Sequence, residues 1–137
     1  MTRGTGWWLL AVGILATAFA LLCWKNKGFA FFEKLDGNYV LVSPDRLDEL
    51  KLSYLLEDGN CVGRVKGPVV LVGWNSACVV AARRSAGSSL EYYIVNRQLD
   101  GPYAETSKVV TGPFSQVQYL AQQRAQGLPE LHATIAK

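Results

Sequence analysis

Few residues in this chain could do chemistry, and they are scattered. His132 is the single histidine. As a general base it would need a positioned nucleophile and a pocket, and it lies in a weakly patterned tail, so an ordinary surface histidine is expected. Asp45, Asp48 and Glu49 cluster in a turn-like segment. Two carboxylates can share acid–base work or hold a cation, but neighbours in a turn are as a rule simply solvated. There is no His-x-x-x-His, Cys-x-x-Cys, Asp-x-Asp-x-Asp-Gly, Gly-x-Gly-x-x-Gly or P-loop, and each of those spacings is what its metal or phosphate would demand. The expectation is a non-enzymatic protein with no catalytic residues, no cofactor and no metal.

Residues suited to binding are better represented. Trp74 and Asn75 stand in what reads as a tight turn, Gly73-Trp74-Asn75-Ser76. Tyr92 and Tyr93 are adjacent in a strand-like stretch and so point to opposite faces. Tyr103 lies in a loop, and Arg83 and Arg97 flank strand-like runs. Trp, Tyr and Arg supply most interface anchors, so Trp74, Asn75, Tyr92, Tyr103, Arg83 and Arg97 are the candidate interaction surface. The competing reading puts Trp74 and one tyrosine in the core. Arg64, Lys66, Arg83, Arg84, Arg97 and Lys108 could form a mild basic patch, or be dispersed, solvated charges.

The elements that must position these residues read mostly as strands. Asn38–Val42 ends at the turn Ser43-Pro44-Asp45. In Asp48–Leu56, Leu50, Leu52, Tyr54 and Leu56 alternate with Lys51, Ser53 and Leu55, which predicts a strand with one buried and one polar face. Glu57-Asp58-Gly59-Asn60 is a hairpin signal, because Asp and Gly tolerate positive φ, and Cys61–Val65 is the return strand. Gly67-Pro68 breaks the pattern. Val69–Val72 is a continuous apolar run typical of a strand buried on both faces, and Ala77–Ala82 is another apolar run. Ser85–Ser89 is a loop, Leu90–Asn96 a strand rich in aromatic and β-branched residues, and Asp100-Gly101-Pro102 a turn.

One helix is well signed over Gln116–Gln126. Ser115 and Gln118 form a capping box, Phe114 and Tyr119 fit a hydrophobic staple, Gly127 sits at the C-terminal cap and Pro129 blocks continuation. Val117, Leu120, Ala121 and Arg124 share the side expected to face the sheet; Leu131 and Ile135 could anchor the tail. About six strands followed by a helix predict an α+β domain, a small antiparallel sheet with one C-terminal helix packed on it.

The 137 residues allow one domain of this kind, here residues 37–137. Before it, Trp7–Trp24 is an 18-residue run without charge, bracketed by Trp7, Trp8 and Trp24. A helix of that length spans about 27 Å, enough for a bilayer core, and tryptophan favours the interface. Residues 1–24 are therefore expected to form an uncleaved single-pass signal anchor. Cleavage after Ala18-Phe19-Ala20 and lipidation at Cys23 are the alternatives. Residues 25–36 form a connector whose Phe29, Phe31 and Phe32 suit packing on the domain or at the membrane surface. All 11 acidic and 13 of the 14 basic residues lie beyond residue 24, too even a balance for a nucleic-acid partner. Lys25, Lys27 and Lys34 weigh slightly for a cytoplasmic body by the positive-inside rule. The export-like N-terminus weighs more, for a body in the periplasm on the bacterial inner membrane. Of the three cysteines, Cys61 and Cys78 fall in the domain. They read as small buried hydrophobes, with a disulfide between them as an alternative after export.

Several segments carry a resemblance: Val72-Gly73-Trp74-Asn75, Tyr92-Tyr93-Ile94 and Thr111-Gly112-Pro113-Phe114, within a stretch from about Asp36 to Leu128. Together they resemble a bacterial family of small exported, lipoprotein-like proteins, domain of unknown function 3997. The resemblance implies an exported, envelope-tethered domain and supplies no catalytic residues. Leu22 departs from the small residue a lipoprotein signal carries before its cysteine. The reading is a membrane-anchored envelope protein that binds a protein or an envelope component. One alternative is an immunity protein that neutralises an envelope-directed toxin. The other is a small hydrolase built on Asp45, Asp48 or His132.

Overall fold

The computed structural model describes residues 31–44 and 49–135. The run Trp7–Trp24, the connector as far as Ala30, and Asp45 and Asp48 lie outside the described residues, with the expectations placed on them. No helix among the described residues is long and apolar enough to cross a membrane.

The elements are β1 (Phe31–Lys34), β2 (Tyr39–Ser43), β3 (Lys51–Leu55), β4 (Cys61–Val65), β5 (Val69–Trp74), β6 (Cys78–Arg84), β7 (Leu90–Asn96), α1 (Thr106–Val109), β8 (Val110–Phe114), α2 (Gln116–Gln126) and β9 (His132–Ala133). They form two antiparallel sheets, ordered β1-β2-β3-β4 and β8-β7-β6-β5-β9. Antiparallel β-structure followed by a helix is as expected. The single six-stranded sheet is corrected to two sheets and nine described strands. The extra strands are β1, inside the stretch read as a connector, and β8 and β9, too short or too polar to show a period of two.

The sheets separate at Gly67-Pro68. Here Val69 N–H donates to Leu50 O at 2.8 Å, and a Cβ on Gly67 would lie 2.4 Å from that carbonyl. Only glycine lets the two backbones approach so closely, so the chain leaves one sheet here and enters the other.

The main core lies between the sheets. Tyr39, Leu41, Leu50, Leu52 and Val65 from the first sheet meet Val69, Val72, Val79, Ala81 and Val95 from the second. Alternation in β6 then sends Cys78, Val80 and Ala82 to the opposite face, where they join Tyr92 and Tyr119. That explains the unbroken apolar run in β6: both its faces are buried. In β5 a register shift between Val69 and Leu71 puts Val69 and Val72 on the same face, the local consequence of a bulge.

Helix α2 carries its capping box, with Gln118 N–H donating to Ser115 Oγ and Ser115 N–H to Gln118 Oε1. It ends at Gly127 with φ 64°. Its packing corrects the expected stripe. Val117, Leu120 and Ala121 are exposed, and the inward residue is Tyr119, whose ring stacks on Tyr92 at 4.5 Å and 7°. The presumed polar face of β3 is also corrected, since Ser53 is fully buried.

Burial raises the phenol pKa of Tyr39, Tyr92 and Tyr93, and pushes Tyr119 from its ordinary 10.0 to about 12. The folded state then holds these protons more tightly than the unfolded chain. Their contribution to stability is complete below about pH 10 and falls as pH rises towards 12. The melting temperature, followed by circular dichroism from pH 8 to 12, is expected to be flat at first and to drop above about pH 10. A flat profile to pH 12 would contradict the buried phenols.

Candidate functional site

Trp74 ends β5 and is 38% exposed, among the few large apolar side chains turned to solvent. It borders a cleft of about 390 Å³ lined by Asn75, Pro129, Glu130 and His132. A neighbouring hollow of about 340 Å³ shares Glu130 and His132 and extends to Tyr119 and Gln123.

The C-terminal segment forms one wall because it pairs with β5. Leu71 and Val72 oppose Ala133 and His132, Thr134 N–H donates to Val70 O at 2.9 Å, and its hydroxyl donates to Val69 O at 2.7 Å. Gly73 makes the approach feasible, since a Cβ there would lie 2.1 Å from Glu130 O. Gly73 and Trp74 thus belong to the strand, not to the expected turn, which begins at Asn75.

Asn75 is spent on that turn: its Oδ1 accepts from the N–H groups of Ala77 and Cys78, both at 2.9 Å. Its carbonyl accepts from Arg97 Nη1 at 2.6 Å. The same Arg97 nitrogen donates to Asp36 at 2.7 Å, and the guanidinium lies over the Tyr39 ring at 5.6 Å. Arg97 therefore ties the β1–β2 turn to the β5–β6 turn.

Of the six expected surface residues, Trp74, Asn75 and Arg97 come together at one end of the molecule. The rest do not join them. Tyr92 is buried, a correction, because it carries the helix. Arg83 sits near the opposite end of β6, bound to Gly67 O and Glu91 with its Nε buried and unpaired. Tyr103 is fully exposed on the loop after Asp100. Of the six cations considered for a basic patch, Arg64, Arg83, Arg97 and Lys108 each pair with a carboxylate.

Pro129, Glu130 and His132 complete the cleft from a tail whose sequence shows no regular pattern. The available signal was Gly73 inside an apolar strand, which marks a close backbone approach.

The cleft offers an indole face, a carboxylate and an imidazole, with no serine, threonine, cysteine or lysine in its lining. Among the described residues no group of three or more His, Cys, Asp or Glu is placed to hold a metal. Cys61 and Cys78 are free thiols on different sheets, which does not support the disulfide alternative. Burial raises both their pKa values, the reverse of what an activated nucleophile needs. An indole face with a carboxylate nearby suits an inserted apolar or cationic side chain. No family model matches the chain, and neither a curated protein nor a solved structure matches it.

Proposed function

We propose that this chain is a non-enzymatic, single-pass protein of the bacterial inner membrane, anchored by residues 1–24, whose periplasmic domain binds another protein through the Trp74 cleft. The observation that carries the binding reading is the part-exposed indole at the end of β5, at the rim of the cleft it shares with Pro129, Glu130 and His132. A large aromatic fixed at the rim of a cleft loses little conformational freedom on binding, which is why such residues become anchors. The anchor reading rests on the uncharged Trp7–Trp24 run and its flanking tryptophans. The reading does not lean on the family resemblance, which no family-model match accompanies.

Two measurements test this. A reporter active only outside the cytoplasm, fused after Lys137, is expected to be active; silence from a stably expressed fusion would overturn the periplasmic placement. A photo-crosslinking amino acid at Trp74 or His132 in living cells is expected to give a discrete protein adduct, and one at Glu57 is expected to give none. Trp74→Ala should leave the melting temperature within a few degrees and weaken the captured partner by about 30-fold, the scale of a 2 kcal/mol anchor. Equal adducts at Glu57 and Trp74, or unchanged affinity in Trp74→Ala, would remove the cleft from the reading.

A further inference from the structure

The first sheet has a second apolar face. Tyr39 and Leu41 point into the core, so alternation turns Val40 and Val42 the other way. Ser53 lies opposite Val40 and Lys51 opposite Val42 on β3, and Phe32 opposite Val42 on β1. Val40, Val42 and Ser53 have 0% exposure, yet the two valines belong to neither core cluster. The Ser53 hydroxyl is buried there without a hydrogen-bond partner. Strand β9 and both helices make their principal contacts with the second sheet. An antiparallel sheet open to water on one side would carry polar residues at these central positions; this one carries two valines ringed by Lys34 and Lys51.

Thirty residues precede Phe31, and they enter the domain through β1, the edge strand beside this face. Eighteen of them, Trp7–Trp24, are consecutive and uncharged. The six residues Lys25–Ala30 can span about 20 Å when extended, and four strands span about 15 Å between their outer axes. The run can therefore turn back and lie across the sheet, and its chemistry matches a face with valines at its centre and lysines at its rim. The other undescribed internal stretch, residues 45–48, has three charged residues among four and does not match.

We propose that this face is the docking site of the chain's own Trp7–Trp24 run whenever the run is outside a bilayer. The run then has two alternative burials, the sheet and the lipid. Insertion uncovers Val40, Val42 and Phe32. The lipid half of this inference rests on the anchor reading above; the docking half does not.

The test uses the full chain with Cys23, Cys61 and Cys78 replaced by alanine and Ser53→Cys as the reporter, with Gly63→Cys as an exposed control on the same face. In detergent-free buffer, maleimide labelling at position 53 is expected to be at least about tenfold slower than at position 63, as for a site reached only by local opening. A second cysteine placed in turn at Ile14, Leu15, Ala16 and Thr17 samples each side of a helical turn. At least one pair should form an intramolecular disulfide with position 53. In phosphatidylethanolamine–phosphatidylglycerol vesicles the protection should fall to under about threefold and the disulfide should be lost. Equal labelling in buffer, or disulfides only between two copies, would overturn the docking site. Protection that persists in vesicles with a carbonate-resistant chain would overturn the alternation. A chain that carbonate strips from vesicles, but still cross-links internally, would end the anchor reading and keep the docking site. If Ser53→Cys fails to fold, the native Cys61, half-buried on the same face, serves as the reporter in a Cys23→Ala, Cys78→Ala chain.

Discussion

Asp100→Ala is expected to destabilise the domain by about 3–5 kcal/mol, the cost of leaving a buried charge without its partner. Arg64 and Asp100 both have fully buried side chains and meet at 2.7 Å. Asp100 accepts from Arg64 Nε and Nη2, from Tyr39 OH at 2.8 Å and from Gly101 N–H at 2.8 Å. The remaining guanidinium hydrogens go to Gly63 O, Thr106 Oγ1, Gly101 O and Ala104 O. Every donor of a buried cation is thus engaged, and the pair fastens the loop after β7 to the first sheet. Without Asp100 the guanidinium has only neutral acceptors, and Tyr39 loses its acceptor in the core. For a domain of this size the loss corresponds to a fall in melting temperature on the order of 20 °C. The double replacement Arg64→Met, Asp100→Leu is expected to recover part of it, because an apolar pair carries no charge desolvation cost, while the Tyr39 hydroxyl still lacks its acceptor. Thermal denaturation of the two variants decides this. A single variant within two or three degrees of the parent would mean that water reaches the pair and that the loop is held by something else.

Local signals in the sequence were reliable wherever a backbone conformation demanded a particular residue. The Asp58-Gly59 hairpin forms with Gly59 at φ 89°, α2 has its capping box and its αL glycine, and Leu90–Asn96 is β7 to the residue. What could not be read was which surface each element would meet. Strand β6 is apolar on both faces because each face joins a different core cluster, and nothing local says that its two covers are different layers. The helix shows the same limit. Val117 and Leu120 looked inward by hydrophobicity, but the second sheet offers the helix a ring, Tyr92, and Tyr119 takes it. Half-buried Gln122 and Gln123 follow Tyr119 at helical spacing, so one aromatic stack outweighed an apolar stripe.

The site was less readable than the fold for a related reason. Trp74 stood out by type, but its cleft is completed by residues more than 50 positions later in a tail without periodicity. The lock between Arg64 and Asp100 joins residues 36 apart, and in sequence each resembles any other charge. Tyr92 and Arg83 were plausible anchors by residue type and are instead committed to holding the helix and the edge at Gly67. Residue type indicates what a side chain can bind, and topology decides whether it is left available.

Gly73→Ala is expected to detach the C-terminal strand and dismantle the cleft while the two sheets stay folded. An added Cβ would lie 2.1 Å from Glu130 O, 3.0 Å from Glu130 C and 3.1 Å from Leu131 Cδ2. Two of these are backbone atoms, so no rotamer change relieves the clash and the segment must move as a unit. Moving it breaks the pairing of Leu71 and Val72 with β9, the Thr134 hydrogen bonds to Val69 O and Val70 O, and the packing of Leu131 on the Tyr119 cluster. Overpacking of this kind costs about 1–3 kcal/mol, which exceeds what a two-residue strand at a sheet edge can withstand. The cheaper outcome is local release, not global unfolding. Amide exchange at Thr134 should accelerate by about 5- to 150-fold, as for local opening made easier by about 1–3 kcal/mol, with protection in β6 and β7 unchanged. Gly63→Ala is the control: its Cβ would meet nothing within 4 Å, and its effect should stay within about 0.5 kcal/mol. If Gly73→Ala leaves Thr134 protected, the β5–β9 contact tolerates a methyl group and the Trp74 cleft is not shaped by that glycine. If Thr134 is released and the Trp74 crosslink disappears with it, the strand and the binding face are one unit, and a single hydrogen at position 73 maintains both.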